Sequence, residues 1–160
     1  MNQKLPFEYK LYKEISELPS DISKLLQKAE EQLAYSYAPY SQFHVGAAAL
    51  LDNGDIIAGC NQENASYPLC MCAERVALYN IGAQYQEFKI VALAITAHNP
   101  NKKLVDPCMP CGACRQVISE FEQRQSCDIP LYLSSKDQYI IGLTSNKVLL
   151  PAGFSGNNLL

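Results

Sequence analysis

Two apolar strand patterns joined by Asp52-Asn53-Gly54-Asp55 constrain this chain more than any other feature. Asn-Gly accepts the positive φ angles of a tight hairpin turn, so residues 43–51 and 56–61 are predicted to form an antiparallel pair. Beyond the hairpin the pattern alternates. A helix is predicted over 72–83, a strongly apolar strand over 89–97, a helix over 112–123, and strands over 129–133 and 138–142. A further helix precedes the hairpin. Ser20 is its expected N-cap, and Ile22, Leu25, Leu26, Ala29 and Leu33 recur at helical spacing to about residue 35, before Pro39. Thr144 is expected to cap a last short helix ending at Leu150, ahead of Pro151. The order β-β-α-β-α-β-β predicts a three-layer α-β-α sandwich with a five-stranded mixed sheet. The hairpin pair is antiparallel, and the helical crossovers give parallel neighbours later. Residues 1–19 read as an N-terminal extension, with an edge strand in the loose alternation of 7–12. Residues 20–160 read as a single domain.

Composition narrows the function. The chain has 160 residues, enough for one core, with 48% hydrophobic and 18% charged residues. No apolar run approaches a membrane span. The first residues, MNQKLPFEYKLYKE, carry charges throughout and do not form a secretory signal, so a cytoplasmic location is expected. Net charge is -3, whereas a polynucleotide binder usually carries a basic excess to meet phosphates. Neither nucleic acid nor membrane is therefore expected as a partner.

Seven cysteines stand at 60, 70, 72, 108, 111, 114 and 127. The odd number precludes a fully paired disulfide framework within the chain. Clustered cysteines without an export signal point to a metal or to catalysis. Two segments concentrate them, Cys70-Met71-Cys72-Ala73-Glu74-Arg75 and Pro110-Cys111-Gly112-Ala113-Cys114-Arg115-Gln116, each where a loop enters a helix. Cys111 and Cys114 can point two thiolates at one metal from a single turn, and a helix N-terminus favours the thiolate form. Cys72 supplies a third ligand. Three protein ligands and one open position describe a catalytic zinc site, with a water in the open position. Glu74, two residues after Cys72, is placed to move protons beside the metal without binding it. A ligand followed by x-Glu and then Pro-Cys-x-x-Cys is the layout of zinc deaminases.

Other readings of these cysteines remain open at this point. A structural four-cysteine site would take Cys70 or Cys108 as fourth ligand, and Cys108 forms a second Cys-x-x-Cys with Cys111. A redox pair lacks the β-α-β context it needs. Cys60 and Cys127 are expected to be small buried hydrophobes. His44 and His98 have no metal-ligand spacing and read as non-catalytic.

The sequence also resembles the small tetrameric cytidine deaminases with three cysteine ligands, from about Tyr37 to Phe154. The resemblance rests on separate blocks in order: Ala38-Pro39-Tyr40-Ser41-Gln42-Phe43-His44-Val45-Gly46-Ala47-Ala48, Gly59-Cys60-Asn61-Gln62-Glu63-Asn64-Ala65-Ser66-Tyr67, the two cysteine segments, and Leu149-Leu150-Pro151-Ala152-Gly153-Phe154. Val76 departs from it, standing where Thr is common. The resemblance implies a cytidine deaminase-like fold, with residues 20–160 as a zinc-dependent deaminase domain holding one Zn2+ per chain. It implies that Asn61 and Glu63 bind the ribose hydroxyls and that Phe43 lines the pocket. The Ala73 backbone with Glu74 would hold the pyrimidine's amide edge. Arg75 would hydrogen-bond the thiolates, offsetting their excess negative charge. Phe154 would reach the pocket of a neighbouring subunit in a homotetramer with shared active sites. Tyr40 and Tyr67 are candidates for the pocket wall. The implied reaction is hydrolytic deamination of cytidine and deoxycytidine to uridine and deoxyuridine with release of ammonia, in pyrimidine salvage. The alternatives are a deaminase of another small cytosine nucleoside, against which the Asn61/Glu63 pair argues, and a non-catalytic structural zinc module. A purely structural site gains nothing from Glu74.

Overall fold

The computed structural model describes residues 7–136, 138–156 and 159. Residues 1–6 of the expected extension lie outside the described residues. The elements run β1 Lys10–Tyr12, α1 Ser20–Glu31, β2 His44–Leu51, β3 Ile56–Cys60, α2 Ala73–Gln84, β4 Ile90–His98, α3 Gly112–Gln125, β5 Leu131–Leu133 and β6 Ile140–Leu143. Among the described residues the sheet has six strands in the order β1-β6-β5-β4-β2-β3. That is one more than the five expected, because the edge strand of the extension pairs antiparallel with β6 and joins the sheet. The hairpin β2–β3 is antiparallel, β4 also runs antiparallel to β2, and β4–β5 across α3 is parallel.

Three layers follow from the period-two alternation of β2 and β4. Ala48, Leu50, Ala92 and Ala94 face Leu25, Leu26 and Ala29 of α1. Ala47, Ala49, Leu93 and Ile95 face Leu78 and Ile81 of α2 and Ile118 and Phe121 of α3. The alanines of β2 let helices approach closely, and two glycines are needed where the approach is closest. A Cβ on Gly46 would lie 2.0 Å from the Ala29 carbonyl oxygen of α1. A Cβ on Gly59 would lie 2.7 Å from the Ala77 nitrogen and 2.8 Å from the Ala73 oxygen, so the first turn of α2 rests directly on β3.

Helix boundaries differ from expectation in several places. Pro19, not Ser20, holds the N-cap position of α1, and Ser20 is its first helical residue. After Glu31 the helix tightens into a 3-10 turn over Gln32–Tyr35. The short helix expected ahead of Pro151 is a single 3-10 turn, Asn146–Val148, capped by Ser145, whose hydroxyl accepts from the Lys147 amide, and not by Thr144.

Candidate active site

Helices α2 and α3 lie on one face of the sheet, and their N-termini meet. Cys72 is the N-cap of α2 and Cys111 the N-cap of α3, both with extended backbone, so each side chain leaves at the positive end of a helix. Cys114 lies in the first turn of α3 and is fully buried. The three sulfur atoms lie within 4.8 Å of one another, and Cys72 Sγ is 3.8 Å from Cys111 Sγ. Among the described residues this trio is the cluster with the composition and spacing to hold a metal ion. Its donor set suits zinc: soft thiolates from two helix starts, and one tetrahedral position left over.

Hydrogen bonds and burial set the charges of the trio. Cys72 is held down to about 5, first by the hydrogen bond from the Cys114 thiol, with Arg75 and Cys111 adding to it against the effect of burial. The same hydrogen bond, with burial, pushes Cys114 up. Arg75 Nη2 donates to Cys72 Sγ over 3.4 Å, and its buried Nε finds no partner among the described residues. Glu74 is 3% exposed. Burial, and then the Cys72 charge, raise its carboxyl above the ordinary range.

The remaining cysteines are placed otherwise. Cys70 Sγ accepts from the Asn64 amide at 3.2 Å, and so braces its own loop. Burial, followed by the Glu74 charge, pushes the Cys108 thiol up to about 12. Its sulfur is not one of the three that lie within 4.8 Å of one another. Cys60 is buried as expected, but Cys127 is exposed, because it follows the left-handed Ser126 that ends α3 at the surface.

The loop between β3 and α2 folds back on itself. Gln62 and Met71 exchange backbone hydrogen bonds of 2.9 Å, so Glu63 and Cys72 flank one bridge. Glu63 Oε2 accepts from the Tyr40 amide at 2.9 Å and the Ser41 amide at 3.3 Å, while Oε1 accepts from the Ser41 hydroxyl. Despite a burial contribution that raises it, these donors hold the carboxyl below its ordinary value, so Glu63 is an acceptor at neutral pH. Tyr40 and Tyr67 come together with ring centroids 5.8 Å apart and line a cleft of about 390 Å3 with Ser41, Glu63 and Cys70. Gln42, at φ 55°, turns the chain so that Phe43 packs against the sheet face that carries α2 and α3. Asn61 is half-buried, and its amide is engaged internally with Phe43, Val45 and Ser36. Ala73 is fully buried in the first turn of α2.

The C-terminal tail is held against α3 by hydrogen bonds between residues distant in the chain. Arg115 donates from Nε to the Pro110 carbonyl at 2.8 Å, one residue before Cys111, and from Nη1 to the Leu149 carbonyl at 3.2 Å. Gln116 donates to the Phe154 carbonyl at 2.9 Å. The Phe154 ring is left 57% exposed. Buried Asn146 donates to the Arg115 carbonyl at 2.7 Å. Arg115 and Gln116 carry a motif signal in the sequence, but their partners lie more than thirty residues away.

Residues 19–127 match the family model described as the cytidine and deoxycytidylate deaminase zinc-binding region. The chain belongs to this family. It is a zinc-dependent hydrolase, and the cysteine trio falls inside the matched region. A cytidine deaminase of Sporosarcina psychrophila is 40% identical over 142 residues, which cover 87% of this chain and 95% of the relative. The fold is similar to the crystal structure of cytidine deaminase from Burkholderia pseudomallei, with TM-score 0.68, 38% identity, and coverage of 82% of this chain and 97% of that one. It is also similar to that from Mycobacterium tuberculosis, with TM-score 0.60, 34% identity, and coverage of 86% and 99%. Among the described residues no helix is long and apolar enough to cross a membrane.

Proposed function

We propose that this deaminase acts on free cytidine and deoxycytidine, yielding uridine or deoxyuridine and ammonia, as a cytoplasmic enzyme of pyrimidine salvage. The observation that carries the reading is the meeting of three thiols with the buried carboxyl of Glu74 at two helix starts. Cys72, Cys111 and Cys114 would hold one zinc ion per chain, which when bound supplies a water nucleophile at neutral pH.

The chain's own residues do the rest. Glu74 accepts a proton from the attacking water and delivers it to N3 as the new C4–O bond forms. It then takes the remaining proton from the new C4 hydroxyl and passes it to the amino group, and the C4–N bond breaks to release ammonia and leave a C4 carbonyl. Its burial keeps bulk water from competing for that proton. Arg75, beside Cys72, offsets the negative charge of three thiolates. The Ala73 backbone together with Glu74 holds the amide edge of the base, and Phe43 lines the pocket. Glu63 accepts from sugar hydroxyls, and Asn61 donates to the sugar. The acidic balance of the surface favours a nucleoside over a polynucleotide. The exposed Phe154 ring on a tail anchored to α3 supports a homotetramer in which Phe154 serves a neighbouring subunit's site.

Ultraviolet assay of cytidine loss with the zinc-loaded protein, beside its Glu74→Gln variant, tests this reading. The variant keeps its zinc and loses about 10²-fold or more in turnover. Near-normal turnover by a zinc-loaded variant would overturn it.

A further inference from the structure

His44 opens β2, directly before Val45, and lies outside the chemistry described above. It stands at the head of a short hydrogen-bond chain that ends on Asn61. The polarity of that chain can be worked out from its far end. Asn61 Oδ1 accepts from the Val45 amide at 2.8 Å, and Asn61 Nδ2 donates to the Phe43 carbonyl at 2.8 Å. These two backbone partners fix which end of the amide is oxygen. Ser36 Oγ lies 2.5 Å from that oxygen. Two oxygens at that distance need a proton between them, and the amide oxygen has none, so the Ser36 hydroxyl donates. With its proton committed, Ser36 Oγ faces His44 Nδ1 at 3.1 Å as an acceptor. The imidazole therefore carries its proton on Nδ1.

We propose that His44 is a positioning residue for substrate sugar binding: through Ser36 it fixes the Asn61 amide so that the second Nδ2 hydrogen is left for the sugar. Both lone pairs of Asn61 Oδ1 are taken, by Val45 and Ser36, and one Nδ2 hydrogen is taken by Phe43. The second is the one donor this amide has left. Ser36 ends the 3-10 turn after α1, while Asn61 follows β3, so the chain of bonds ties the helix on one face of the sheet to the loop that carries Glu63. No local sequence signal joins the three residues, which are 8 and 25 positions apart.

The inference rests on the nucleoside reading of the site, and its test separates the two. In the zinc-loaded protein, 15N chemical shifts of the His44 ring are expected to show a protonated Nδ1. In Ser36→Ala the Nδ1 signature is expected to be lost. His44→Leu is expected to raise KM for cytidine about three- to ten-fold, the range of one lost hydrogen bond, with kcat within about twofold. His44→Asn places an amide N–H near the lost Nδ1–H and is expected to restore KM. With 2′,3′-dideoxycytidine, which lacks the 2′- and 3′-hydroxyls, His44→Leu and the parent are expected to have equal KM. A proton on Nε2 alone would overturn the proposal, and so would an equal KM penalty for both nucleosides. Absence of cytidine turnover by the parent would overturn the functional reading instead, and the ring 15N shifts would still decide the hydrogen-bond chain.

Discussion

Arg75 Nη2 lies 3.4 Å from Cys72 Sγ, one turn along α2 from the cysteine it serves. The Cys114 thiol, with this contact and Cys111 adding to it against burial, holds Cys72 down to about 5, while burial pushes Cys108 up to about 12 and Cys114 is raised. In protein freed of metal by a chelator, at about pH 6.5, Cys72 is then above its pKa and largely thiolate, whereas Cys108 and Cys114 are below theirs and protonated. Only the thiolate is nucleophilic. Iodoacetamide should therefore modify Cys72 well before Cys108 or Cys114, as read by mass spectrometry, and Arg75→Gln should slow that modification. Earlier modification of Cys108 would contradict the charge distribution described here.

The choice of ligands makes a second prediction. Alanine at Cys72, Cys111 or Cys114 should strip or loosen zinc, whereas alanine at Cys60, Cys70, Cys108 or Cys127 should leave about one zinc per chain. Metal analysis after gel filtration measures it. Loss of zinc from Cys108→Ala with retention in Cys114→Ala would mean that the second Cys-x-x-Cys, not the first, holds the metal.

Gly59 makes a third. A methyl group there meets the Ala77 nitrogen, the Ala73 oxygen and Val76 Cβ, all within 3.0 Å, and the first two are backbone atoms that cannot rotate away. Gly59→Ala should cost about 1–3 kcal/mol by overpacking and lower Tm. Because the displaced atoms belong to the turn that begins at Cys72, zinc should also be held less tightly. A variant with parental Tm and zinc affinity would show that α2 does not need this close approach.

The tail supplies the fourth. Glu74→Gln lacks the proton carrier, and a chain ending before Pro151 lacks Phe154. If Phe154 serves a neighbouring site, co-refolding the two inactive proteins should restore part of the activity, since some mixed sites combine an intact Glu74 with an intact Phe154. Co-assembly without recovered activity would place the tail in the service of its own chain. Gln116→Ala, which frees the Phe154 carbonyl, should raise KM while leaving zinc content at the parental level.

What the sequence determined by itself was whatever depends on near neighbours in the chain. The Asn53-Gly54 turn, the alternation of β2 and β4, and the spacing of Ile22, Leu25, Leu26 and Ala29 are local, so the hairpin, the layers and the buried face of α1 follow from pattern alone. Cys111 and Cys114 lie within one turn, and Cys72 and Glu74 are two residues apart, so the candidate metal cluster and the carboxyl in the same turn were also legible. Other features needed the folded chain. The six-stranded count depends on whether Lys10–Tyr12 finds β6, across more than 120 residues. The caps shifted to Pro19 and Ser145 because a cap depends on where backbone hydrogen bonds begin, which composition leaves open by a residue. Cys127 became exposed because the left-handed Ser126 carried it to the surface. The hydrogen bonds of Ser36 with Asn61, Ser41 with Glu63, and Arg115 with Leu149 join side chains and carbonyls distant in the chain. A hydrogen bond needs both partners within about 3 Å and aligned, and only tertiary packing sets that distance between such residues.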